Sequence, residues 1–69
     1  MEKIELIVKG VSQNNSYHVS LKIDGSDAGI LYLSYDEYKS VVDVLREGCL
    51  QKGLNFNYDA SILYADSGE

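Results

Sequence analysis

The stretch Leu33–Gly53, LSYDEYKSVVDVLREGCLQKG, decides the fold, because it reads as one helix with both ends marked. Ser34-Tyr35-Asp36-Glu37 has the form of a capping box. The Ser34 hydroxyl can accept from the Glu37 amide while the Glu37 carboxylate reaches back to the Ser34 amide. Leu33 before the cap and Tyr38 at the fourth helical position fit a hydrophobic staple. Asp36 and Glu37 suit the positive end of the helix dipole, and Arg46 and Lys52 suit the other end. Gly53 supplies the stop, since glycine enters the left-handed conformation without steric cost. The spacing predicts a helix over Tyr35–Lys52. At ~100° per residue, Tyr35, Tyr38, Val41, Val42, Leu45 and Cys49 share one stripe. Gly48 lies at its edge, where a missing side chain would let the helix approach a sheet.

Strand patterns flank the helix. Upstream, Tyr17, Val19, Leu21 and Ile23 alternate with His18, Ser20, Lys22 and Asp24, the period-2 signature of a half-buried antiparallel strand. Lys3–Val11 precedes it, with Ile4, Leu6 and Val8 on one face and Ile7 and Val11 on the other; Ser12–Ser16 is a polar turn. Asp24-Gly25 with Ser26-Asp27 marks a hairpin turn, and Ile30–Leu33 forms a short third strand. Downstream, Leu54, Phe56 and Tyr58 alternate with Asn55, Asn57 and Asp59, which predicts a fourth strand. Ser61–Tyr64 extends that strand or forms a separate edge strand, and Asp66–Glu69 reads as a frayed tail. The order β-β-β-α-β predicts a small α+β fold, a mostly antiparallel sheet with one helix packed on one face, as a single domain over residues 1–69. A lone helix covers only one sheet face. Ile7, Val11 and one side of Ile30–Leu33 therefore suggest an apolar second face and a homodimer.

Composition narrows the function classes. The chain has 69 residues and one cysteine, Cys49, so an intramolecular disulfide is impossible. One cysteine and one histidine, His18, fall short of a structural zinc site, and no metal or other cofactor is expected. No segment reads as a signal peptide, and no apolar run approaches the ~20 residues that cross a membrane. A cytoplasmic protein is expected, in which the Asn14-Asn15-Ser16 sequon stays unmodified. Eleven carboxylates against six basic side chains give a net charge of −5. That balance disfavours direct nucleic-acid binding, which depends on lysine and arginine neutralising phosphates, and disfavours anionic membranes.

No constellation of catalytic residues emerges. His18 falls on the polar side of its strand and Cys49 on the buried stripe of the helix, so a nucleophile–base pair is not expected. Asp24-Gly25-Ser26-Asp27-Ala28-Gly29 has a faint likeness to a calcium loop. It fails because Ala28 takes the fifth ligand position and Tyr35 stands where the bidentate glutamate belongs. The glycines form no phosphate-binding loop. The expectation is a protein without enzymatic activity.

The remaining feature is the outer helix face. Asp36, Asp43 and Glu47 fall within ~40° of one another opposite the buried stripe, with Ser40 among them. At ~1.5 Å per residue they span ~16 Å. Lys39 and Arg46 flank the row. Asp24 and Asp27 add two carboxylates on the hairpin. A negative ridge of this kind suits a basic surface on a larger host protein, including the nucleic-acid groove of that protein. Six tyrosines add contact area: Tyr17, Tyr35, Tyr38 and Tyr58 fit core-facing positions, and Tyr32 or Tyr64 is expected at the surface.

The reading that follows is an acidic protein-binding module, an inhibitor or regulator of a larger protein. By size and charge, and by no shared motif, it is similar in character to small phage-encoded anti-restriction and anti-CRISPR proteins. Two alternatives stand beside it. One is a homo-oligomer that binds a small ligand such as a nucleotide at a subunit boundary, with Lys3, Lys9, Lys22 and His18 gathered on one sheet face. The other is a structural subunit of a larger assembly.

Overall fold

The computed structural model describes residues 2–63. The elements run β1 (Lys3–Val11), β2 (Tyr17–Ile23), β3 (Ser26–Leu33), α1 (Tyr35–Lys52) and β4 (Asn55–Asn57). They form a four-stranded sheet in the order β3-β2-β1-β4, with α1 packed on one face. The α+β fold is as the sequence predicts, but the sheet is mixed: β1–β2 and β2–β3 are antiparallel, and β1–β4 is parallel.

The length of the helix explains the parallel pair. Leu33 ends β3 opposite Tyr17, which itself pairs with Val11 at the far end of β1. Eighteen helical residues rise ~27 Å, enough to carry the chain back along the sheet. It re-enters at the other end, where Asn55 pairs with Lys3, so β4 starts where β1 starts.

Both helix ends are built as the sequence signals them. The Ser34 amide donates to Glu37 Oε1 at 2.9 Å, and the Glu37 amide donates to Ser34 Oγ at 3.2 Å. Gly53 adopts φ 73°, and the Leu54 amide donates to the Cys49 carbonyl at 2.8 Å, closing the last turn. The expected stripe faces the sheet: Tyr38, Val42 and Cys49 are buried, and Tyr35, Val41 and Leu45 are half-buried. With Leu6 and Val19 from the strands, Tyr38 and Val42 form the centre of the core.

Four local expectations change. β3 begins at Ser26 rather than Ile30, because Asp24 (φ 53°) and Gly25 (φ 86°) make a two-residue turn that pairs Ser26 with Ile23 directly. The polar SDAG run is thereby drawn into the strand, with an extra residue, Ala28, absorbed as a bulge. A second bulge at Lys9, between Val8 and Gly10, shifts the register so that Val11 pairs with Tyr17. Paired residues share a face, so Val11 lies on the helix side of the sheet rather than beside Ile7. β4 is confined to Asn55–Asn57, and residues 61–63 are helical rather than strand; Tyr64 and residues 66–69 lie outside the described residues. Finally, a Cβ on Gly48 would meet nothing within 4 Å, so Gly48 is not a point of close helix–sheet approach.

Candidate functional site

The helix presents its outer face to solvent. Asp36, Ser40, Asp43 and Glu47 are all exposed and project from the side opposite Tyr38, Val42 and Cys49. Two of the carboxylates are engaged locally. Arg46 Nη2 donates to Asp43 Oδ1 at 3.2 Å, and Gln51 Nε2 donates to Glu47 Oε2 at 3.3 Å. Both are solvent-exposed helix-surface contacts of the kind worth ~0.5 kcal/mol or less, so a partner can displace them at little cost.

The row is not purely acidic, which charge counting misses. Val44 is 70% exposed and Leu50 is 75% exposed on the same outer surface. Val44 also borders an apolar groove of ≈ 280 Å³ that runs along the helix past Ile4, Leu45 and Leu54. The outer face thus combines fixed negative charge with two apolar projections. Sequence periodicity alone could have placed both, since Val44 and Leu50 lie off the buried stripe.

Asp24 and Asp27 do not join this face. Asp24 caps the start of β1: its Oδ1 accepts from the Glu2 amide at 2.7 Å and the Lys3 amide at 3.0 Å. These two bonds, the Glu2 bond first, hold its carboxyl below the usual carboxylate range. Asp27 sits on the opposite, helix-free side of the sheet, 4.0 Å from Lys22 Nζ.

The helix-free face carries His18, Ser20 and Lys22 from β2, Ile30 and Tyr32 from β3, and Lys3, Glu5 and Ile7 from β1. His18 meets the edge of the Tyr32 ring with centroids 4.6 Å apart. Tyr32 is exposed, as the sequence suggests for it; Tyr17 and Tyr58 pack against the core. Cys49 is a free thiol buried under the helix, on the far side of the sheet from His18, so the two do not meet. Among the described residues no cluster of three or more His, Cys, Asp or Glu side chains could hold a metal ion. No described helix is long and apolar enough to cross a membrane. Compared with known proteins, the chain matches no family model, no curated sequence and no solved structure.

Proposed function

We propose that this chain is a non-enzymatic protein-binding module whose outer helix face docks on a basic surface of a larger protein and blocks it, as small phage-type inhibitors do. One observation carries the reading: Asp36, Ser40, Asp43 and Glu47 share an exposed face with Val44 and Leu50. Carboxylates at fixed spacing on a rigid helix steer a basic partner and set register, and apolar projections supply the desolvated contact that slows release. A net charge of −5 on so small a chain favours the same partner and disfavours direct contact with nucleic acid. The setting is the cytoplasm, where a lone thiol stays reduced.

The test is capture of a partner from host-cell lysate on the tagged chain, followed by titration of that purified partner. A Kd that weakens steeply with added salt, and by about tenfold or more in D36A/D43A/E47A, supports the reading. Leu50→Asp, which adds charge while removing an apolar contact, should weaken binding through faster dissociation. A partner whose affinity ignores both salt and all four positions would refute the helix as the docking face.

Self-association is a separate part of the proposal. β3 is an edge strand, exposed along its length except at half-buried Leu31 and Leu33, and its Ile30–Leu33 segment carries no charge and no proline. An edge of that kind invites a second copy of the chain.

A further inference from the structure

The helix-free side of the sheet holds a cleft of ≈ 430 Å³ lined by Lys9, Ser20, Lys22, Asp27, Gly29 and Ile30. The two bulges shape it. The extra residue in β1 sets Lys9 and Gly10 together opposite His18, which brings Lys9 toward Ser20 and Lys22. The extra residue in β3 sets Asp27 opposite Lys22 and Gly29 opposite Leu21, and both Asp27 and Gly29 line the cleft.

The floor of the cleft is chemically unusual. Ser20 is only 5% exposed, the one buried polar residue among the described ones, and no buried side-chain polar atom among them lacks a partner, so its hydroxyl is not a sealed, unsatisfied group. Lys9 and Lys22 line the same cleft, from a chain with only six basic residues in all. Lys22 is held by Asp27 only at 4.0 Å, across an exposed contact that an incoming anion can replace. Next to the charges, Ile30 and Tyr32 are each 62% exposed on the same face, and His18 supports the Tyr32 ring edge-on. Ile30 and Tyr32 are ~7 Å apart along the strand. That is a charged pocket beside a flat apolar shelf.

We propose that this cleft binds a small organic phosphate with an attached aromatic body, of the nucleoside monophosphate class. Lys9, Lys22 and the Ser20 hydroxyl donate to the phosphate oxygens, and the base lies over Ile30 and Tyr32. Three donors converging on one anion match the charge-assisted bonding such a group needs. The cleft lies across the sheet from the acidic helix, so the proposal stands or falls independently of the docking face.

The test is titration of the ¹⁵N-labelled chain at low salt with AMP, inorganic phosphate and adenosine as separate probes. AMP should shift the amides of Lys9, Ser20, Lys22, Ile30 and Tyr32, and bind about tenfold more tightly than either fragment. Lys9→Ala or Lys22→Ala should weaken AMP about tenfold, and Asp27→Asn should strengthen it by up to about fivefold. Lys52→Ala, which removes the same charge from the helix, should change the affinity by less than about twofold. The proposal is overturned if AMP leaves these amides unmoved, if phosphate alone binds as well as AMP, or if Lys52→Ala matches Lys22→Ala. Unchanged spectra elsewhere in each variant confirm that it is folded.

Discussion

The Tyr38 hydroxyl donates to the Asp59 carbonyl at 2.8 Å and accepts from the Asp59 amide at 3.1 Å. One side chain thus satisfies both backbone groups of a single residue, and ties the segment after β4 to the first turn of α1. The Tyr38 ring is fully buried beside Val19 and Val42, so the tie is anchored in the core.

Tyr38→Phe tests that tie, because it keeps the ring and removes only the hydroxyl. Both Asp59 groups lose their partner, so unfolding should become easier by about 1–3 kcal/mol. A urea melt should show a lower midpoint with an unchanged slope, since the surface exposed on unfolding is the same. Burial pushes the Tyr38 phenol above its ordinary value. The unfolded phenol therefore ionises first, and stability falls as pH rises past ~10. In Tyr38→Phe that part of the alkaline loss should vanish; an identical alkaline profile would show that the tie contributes nothing there.

Asp24 makes the opposite pH dependence. Its carboxyl is lowered by the Glu2 and Lys3 amide bonds, so its contribution is present above the unfolded carboxylate range. It is lost as pH falls through the lowered folded value. Asp24→Asn should lower Tm at neutral pH and converge with the parent chain in acid. Parallel Tm curves for the two chains across that range would mean that the carboxylate charge is not what clamps β1.

Ser34→Ala removes the cap oxygen that accepts from the Glu37 amide at 3.2 Å. The expected cost is about 1 kcal/mol, within the range measured for helix N-caps, and Ser34→Asp should retain most of the stability. If alanine and aspartate proved equivalent in denaturant titrations, the box would be geometrically present without contributing.

This helix was also the most legible part of the sequence, for a local reason. A capping box, a staple and a terminal glycine act within four residues of themselves, so nothing distant can override them. The same holds for Asp24-Gly25, whose two positive φ angles belong to the turn alone. The bulges at Lys9 and Ala28 were not legible, because a bulge is defined by the partner strand and leaves no mark in its own pattern. The face of Val11 was misassigned for that reason. The acidic row on α1 followed from helical period, whereas the Lys9–Ser20–Lys22 cleft depends on register between strands. The clamp that Asp24 places on β1 was not legible, because its two amide donors lie more than twenty residues away in sequence.

The same dependence on register gives the last prediction, which concerns the edge of β3. The other edge, β4, is three residues long and bears Asn55 and Asn57, which limits unwanted pairing. In β3 the edge protection, the bulge at Ala28 and the charge of Asp27, is confined to its first half, so Ile30–Leu33 is open to a second chain. Antiparallel self-pairing centred on Leu31 would set Ile30 opposite Tyr32 of the partner subunit, a favourable branched–aromatic pair. In that register Asp27 falls opposite Tyr35 of the partner subunit, beyond its strand, so no like charges face each other. The result is a closed two-fold dimer with a continuous sheet. Sedimentation should then give twice the 7.7 kDa chain mass at high concentration. Ile30→Lys places a charge on the edge, as natural sheets do, and should return the mass to that of one chain without lowering helix content. A parent chain that sediments as a monomer at every concentration would remove β3 as an assembly edge, and a dimer that survives Ile30→Lys would move the contact elsewhere.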